Sequence, residues 1–142
     1  MSAELIARLE AAKEGSLELD DSVVIAALGG EMMDWWDEAA QQHQIKAGDG
    51  SRVNVTPVTA SVDAALALAE RVLPGWRWSV QQLGPNYEAS LTLPNGAFLL
   101  SPDTEVYTIA KTPALALCIA ILRAEVKGCR ELVVKEFQHG LR

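Results

Sequence analysis

Hydrophobic positions recur with helical spacing in two long stretches, and between them lies a run of strict alternation. In the first stretch, Ser61 precedes Val62, Ala65, Leu66, Ala69, Val72 and Leu73, an i, i+3, i+4, i+7, i+10, i+11 series that makes one broad apolar face. Ser61 is the expected N-cap, Asp63 suits the positive end of the helix dipole, and Pro74-Gly75 ends the element. In the second, Thr112-Pro113 opens a helix over 114–126 that is apolar nearly all round until Arg123, so it is either central or covered by a second chain. Between them, Trp76–Leu83 alternates, Gly84-Pro85-Asn86 turns, and Tyr87, Ala89, Leu91 and Leu93 alternate with Glu88, Ser90 and Thr92. Pro94-Asn95-Gly96 reads as a hairpin turn, Ala97–Ser101 as a third strand and Glu105–Ala110 as a fourth.

The N-terminal third is less regular. Leu5, Ile6, Leu9 and Ala12 form one stripe of a helix over 3–14, stopped by Gly15-Ser16. Asp20-Asp21-Ser22 reads as an N-cap cluster for a short helix, Val23–Leu28, ended by Gly29-Gly30. Glu31–Ala40 is a further helix or an irregular segment, Gln41–Ser51 an exposed polar loop, and Arg52–Val58 extended. A polar helix, Arg130–His139, follows Gly128. The expected class is α+β: an antiparallel meander of three to four strands packed with helices, preceded by a helical N-terminal segment. One domain is expected over 1–142, made of an acidic helical segment and loop (1–50), an α-β-β-β-α core (51–126) and a C-terminal helix (127–142).

Composition narrows the function classes. Apolar residues are 49% and charged residues 22% of the 142, ordinary globular usage, and a chain of this length buries enough surface to fold without staples. The net charge of -7 is concentrated at one end: residues 1–40 hold ten acids against Arg8 and Lys13. With no Lys/Arg cluster, nucleic-acid binding is disfavoured, whereas an acidic face could dock a basic partner. The longest apolar run, Pro113–Leu122, is too short to span a bilayer, and no leader-like segment opens the chain. A cytoplasmic protein with reduced Cys118 and Cys129 is expected, and no membrane association.

Candidate chemistry is sparse. His43 and His139 have no partner at metal-ligand spacing and read as surface histidines. Cys118 lies within an apolar helix, and Cys129 has no evident activating base. Asp20-Asp21 and Asp34, Asp37 and Glu38 are better explained as caps and a solvated face than as metal ligands. No phosphate-binding loop or nucleophile elbow occurs, so no catalytic residues, metal or cofactor are assigned and binding is expected rather than catalysis. The tryptophans are unusual: Trp35-Trp36 and Trp76-Arg77-Trp78 form two close pairs. Adjacent Trp35 and Trp36 cannot both face one core, so one of them is expected to be exposed or to touch a partner. Trp76 and Trp78 share one side of a strand and are expected in the core. The functional alternative is a platform for a flat ring, with Arg52 or Arg77 holding a phosphate, which makes Trp35, Trp36, Arg52, Trp76, Arg77 and Trp78 the candidate ligand-binding residues.

The stretch Thr59–Trp78, ending Leu-Pro-Gly-Trp-Arg-Trp, and the later Thr112-Pro-Ala-Leu-Ala-Leu-Cys-Ile-Ala-Ile-Leu-Arg-Ala resemble small phage and prophage proteins of the phage ABA sandwich type. The resemblance spans about residues 20–126 and rests on helix caps and helix cores. It implies helical layers around a sheet in a phage-encoded accessory protein of the host cytoplasm. Such a protein would work by sequestering a nucleotide-derived signal of host defence or by occluding a host protein. An oligomer built through the helix 113–126 is the accompanying expectation.

Overall fold

A computed structural model describes residues 2–92 and 105–126. In chain order these form α1 (Ser2–Ala11), α2 (Leu17–Leu28), β1 (Glu31–Asp37), β2 (Gln42–Lys46), β3 (Arg52–Asn54), α3 (Val62–Val72), β4 (Arg77–Leu83), β5 (Asn86–Thr92), β6 (Glu105–Ala110) and α4 (Pro113–Val126). The strands make two three-stranded antiparallel sheets, β1-β2-β3 and β4-β5-β6, so the class is α+β with helices at the N-terminus. The expected turn at 94–96, the strand at 97–101, Cys129, His139 and the C-terminal helix lie outside the described residues.

Helix α4 is the centre. Residues 114–122 and Ala124 are all buried, covered by β4-β5-β6 and by α1, α2 and α3 of the same chain. That enclosure explains why the helix is apolar all round: of the two alternatives, a central place or cover by a second chain, its buried residues have the central one. Thr112 caps the start, its Oγ1 accepting the Leu115 N–H at 3.2 Å. The meander turns its inner row, Ala89 and Leu91 of β5 with Val106, Thr108 and Ala110 of β6, towards the core. Thr108 is the polar member of that row, and its hydroxyl donates to the Ala116 carbonyl at 2.6 Å, so nothing polar is left unpaired there.

Helix α3 follows its periodicity, with Ala65, Leu68, Ala69 and Val72 buried, and Ser61 Oγ accepts the Ala64 N–H at 3.2 Å as the N-cap. The chain leaves α3 through Gly75 at φ +83° and drops Trp76 into the core before β4 begins. Trp78 pairs with Leu91 but is 52% exposed, which corrects the expectation that both indoles are core. The reason is position: α4 packs chiefly on β5 and β6, and β4 lies beyond most of that cover.

Three other readings are corrected in the N-terminal third. Helix α2 starts at Leu17, not Val23, because Ser16 is its N-cap (φ -152°, ψ 161°) and accepts the Leu19 N–H. Asp20 and Asp21 therefore lie within the helix. Glu31–Asp37 is a strand, and Gln42–Lys46 a second one rather than loop, joined by a turn at Glu38–Gln41 with Gln41 at φ +55°. The strand was hidden because its apolar residues come as adjacent doublets, Met32-Met33 and Trp35-Trp36, so the sequence shows no alternation even though exposure alternates from Met32 to Asp37; the register against β2 also slips between Met32 and Trp35. Gly29, at φ +62°, gives α2 its left-handed C-cap and lets the chain turn directly into β1.

The helical corner at Gly15-Ser16 is fastened to the loop before α3 by Thr59. Asp20, only 3% exposed, accepts the Thr59 N–H at 2.9 Å and the Thr59 hydroxyl on the same oxygen, Oδ1. Thr59 Oγ1 in turn accepts the Ser16 N–H at 3.1 Å. The approach is close enough that a Cβ at Gly15 would stand 2.3 Å from the Thr59 carbonyl oxygen, so only glycine fits. Among the described residues no helix is long and apolar enough to cross a membrane.

The network predicts an order of mutational cost. Thr59→Val keeps the shape but removes the bond to a buried carboxyl and the acceptor for Ser16, and should cost about 1.5–3 kcal/mol. Ser61→Ala removes one cap bond and should cost about 1 kcal/mol. Urea unfolding should show the larger midpoint loss for Thr59→Val; equal losses would show that the Asp20–Thr59 network does not fasten the corner.

Candidate functional site

A cleft of about 390 Å³ opens between the first turns of α2 and the β1–β2 hairpin. Helix α2 contributes Leu17, Asp20 and Asp21, the hairpin contributes Trp36 and His43, and the segment after β3 adds Val55 and Pro57. Its walls are mostly apolar and unusually open to solvent: Leu17 is 82% and Trp36 55% exposed. The Trp36 indole is tethered by its Nε1–H to Glu38 Oε2 at 3.2 Å, and Gln41 holds the same carboxylate oxygen at 3.0 Å, so the ring is held at the rim.

The polar side of the cleft is built from Asp20, Asp21 and His43. Asp20 spends Oδ1 on Thr59; among the described residues its Oδ2 takes no hydrogen bond and keeps contact with solvent, as every fully buried side-chain polar atom there is paired. His43, read from sequence as a surface loop residue without a partner, is instead a half-buried strand residue wedged between α2 and the irregular part of β1. Its Nε2 lies 2.8 Å from the Met33 carbonyl oxygen and its Nδ1 3.2 Å from Asp21 Oδ1. Both neighbours are acceptors, so the geometry suits an imidazolium that donates from both nitrogens. The Met33 carbonyl holds the His43 pKa above its ordinary value against the effect of burial, and Asp21 and Asp34 add to the shift.

The other face of the sheet β1-β2-β3 carries a different arrangement. The Arg52 guanidinium lies over the Trp35 ring, 4.1 Å from its centroid, and donates to Gln44 Oε1 at 3.3 Å. Asn54 bridges Gln44 and Asp37, at 2.8 Å to each. The Asn54 amide and the Ala40 N–H lower the Asp37 pKa, and Asp37 in this way fastens the hairpin turn. Asp49 is lowered likewise by the hydroxyl and N–H of Ser51. Both are turn devices.

The six residues nominated from sequence do not converge. Trp35 and Arg52 meet; Trp36 projects from the opposite face over the cleft; Trp76 is core; Arg77 and Trp78 stand on β4 in the second sheet. Adjacent Trp35 and Trp36 do face opposite ways. Leu17, Asp20, Asp21 and His43 were missed, since Asp21 and His43 are brought together only when α2 begins early and β2 is a strand. Cys118 is fully buried, burial pushes its thiol pKa strongly up, and its Sγ–H donates to the Val58 carbonyl at 3.2 Å. Among the described residues no three His, Cys, Asp or Glu side chains gather as a metal site.

No protein-family model matches the chain, and no curated protein sequence does. Among solved structures it is similar to a phage protein from Bacillus cereus ATCC 14579, at 16% sequence identity and a TM-score of 0.49, covering 76% of this chain and 89% of that one.

The His43 geometry fixes the sign of a pH effect. Its pKa is raised in the folded state, so its stabilising contribution is complete below the unfolded value of about 6.5 and is lost as pH rises through the native value. Thermal unfolding of the wild type and His43→Gln should therefore differ most in mild acid and converge at alkaline pH. A gap that is constant across that range would show that His43 serves only by its shape.

Proposed function

We propose that this is a phage-type accessory protein that acts by binding, and that the cleft between α2 and the β1–β2 hairpin docks a basic segment of a protein partner. The observation that carries this reading is the union of exposed apolar walls, Leu17 and Trp36, with two acidic side chains, Asp20 and Asp21, in one concavity. An exposed indole beside carboxylates matches a cation on an aliphatic stem, which takes attraction from both. Charge supports it further, because residues 1–40 carry ten acids against two bases and would raise the encounter rate with a basic surface.

A nucleotide-derived signal is the second reading, favoured by Arg52 stacked on Trp35 on the opposite face. A phosphate in the cleft would meet Asp20 and Asp21, so that reading belongs to the Arg52 side. There the indole already has a guanidinium over it, which leaves less ring for a base to stack on. The cleft is accordingly the stronger candidate surface.

Titration of the isotope-labelled full chain with an arginine-rich peptide should move the resonances of Leu17, Asp21, Trp36 and His43. The affinity should fall steeply between about 50 mM and about 500 mM salt. Trp36→Ala should weaken binding about tenfold or more, the range of a buried aromatic anchor. If the peptide leaves the cleft unmoved while ADP-ribose-type or cyclic nucleotides shift Trp35 and Arg52, the second reading replaces the first.

A further inference from the structure

We infer that the cleft receives the side chain of a single arginine or lysine, and that this cation and the proton of His43 compete for Asp21. The inference rests on the reading that the cleft docks a basic partner and adds to it the unit of recognition and its control.

The size is right for one side chain: about 390 Å³ lies near the lower end of the range of small-ligand pockets, about 300–1,000 Å³. The lining is ordered as such a side chain is. Leu17, Pro57 and the Trp36 ring offer apolar surface to the methylene stem, and Asp20 and Asp21 offer oxygens to the charged head. Asp20 is nearly buried and locked by Thr59 through Oδ1, which leaves Oδ2 as an acceptor that needs no reorganisation to be used. An anion would be repelled by both acids, and a neutral guest would cover Oδ2 without pairing it.

The control follows from what faces His43. Helix α2 presents Asp21 to it; β1 presents the Met33 carbonyl and, farther off, Asp34; Asp20 shares the cleft. Among the described residues lining the cleft, His43 is the one basic group. While protonated, the imidazole donates to Asp21 and neutralises it. When it loses a proton, Nε2 must keep its hydrogen, because the Met33 carbonyl can only accept and stands nearer, at 2.8 Å. Nδ1 then turns a lone pair on Asp21, the bond is lost, and the carboxylate becomes available to a cation in the cleft. Binding and protonation of His43 are thereby opposed, and by linkage each weakens the other equally.

The test uses the full chain with N-acetyl-arginine amide as probe and N-acetyl-citrulline amide as its uncharged counterpart, read by NMR across pH. The arginine probe should bind about tenfold more tightly near pH 8.5 than near pH 6, and saturation should lower the His43 titration midpoint by about one unit, the same coupling seen from the other side. The citrulline probe should not bind. His43→Gln, checked for folding by its near-ultraviolet circular dichroism, should bind the arginine probe with affinity that no longer depends on pH in this range. Arginine binding of constant affinity, or a midpoint that saturation does not move, overturns the shared proton and leaves the docking cleft standing. A response to an arginine-rich peptide but not to the single residue overturns the one-side-chain pocket. No response to either removes the cleft reading itself. Should His43→Gln not fold, the wild-type midpoint shift decides alone.

Discussion

The contact between Asp20 and Thr59 is the constraint on which the rest of the N-terminal half depends. A carboxyl that is 3% exposed is costly to desolvate unless its oxygens are paired, and here one oxygen takes both the N–H and the hydroxyl of a single threonine. That pair of hydrogen bonds fixes the first turn of α2 against a loop 39 residues further along the chain. Ser16, the α2 N-cap, is held by the same hydroxyl, so the start of the helix and its docking are set together. Val58, the neighbour of Thr59, is fully buried and accepts from Cys118 of α4, so the lock is continuous with the central helix. Displacing Thr59 would therefore loosen the α1–α2 corner, the entry to α3 and one side of α4 at once.

The central helix explains the division of labour around it. Because the meander, α1, α2 and α3 all rest on α4, each can be amphipathic, and the sheet β1-β2-β3 is left to pack through Ile45 and its neighbours against the edge of that core. The β1-β2-β3 sheet is lightly anchored and mostly polar. It is joined to α2 by backbone, through the Gly48 N–H on the Leu28 carbonyl at 3.0 Å, and by the His43–Asp21 pair. A small sheet held at its two ends against one helix leaves a concavity between them, and the cleft is that concavity.

How much of this can be read in the chain depends on whether local chemistry and the final environment agree. They agree for α3, α4 and β5: Ser61 and Thr112 cap as such residues do, and the alternation from Asn86 to Thr92 matches a half-buried strand. They disagree in the N-terminal third. Gly15-Ser16 reads equally as the end of one helix and the start of another, and it is the start; that alone moves Asp20 and Asp21 from caps into the body of α2. Met32, Met33, Trp35 and Trp36 lie at positions that suit a helix, because apolar side chains occupy both faces of β1 in adjacent pairs and so show no apolar–polar alternation. Strand β2 carries one fully buried apolar side chain, Ile45, too few for any periodicity. The site was illegible for the same reason: its polar residues come from α2 and β2, the two elements whose boundaries were not visible. Trp35 and Trp36 were legible as a pair facing two ways, because that follows from backbone geometry alone.

The acidic charge of the first third is also not the uniform face that composition suggests. Glu10 pairs with Arg123, Glu18 with Arg8 at 3.2 Å, and Glu31 stands 4.0 Å from Lys46; Asp20 is locked on Thr59, and Asp37 is bound up in the hairpin turn. Exposed pairs of this kind contribute little to stability, but they neutralise the charge locally. What remains attractive to a cation is thus set by position rather than by total. In the cleft, one acid is immobile with an oxygen to spare and the other is balanced only while His43 keeps its proton. The two acids of the cleft are thus set apart from the paired acids of this third by their bonding: Asp20 through a threonine and Asp21 through a titrating ring.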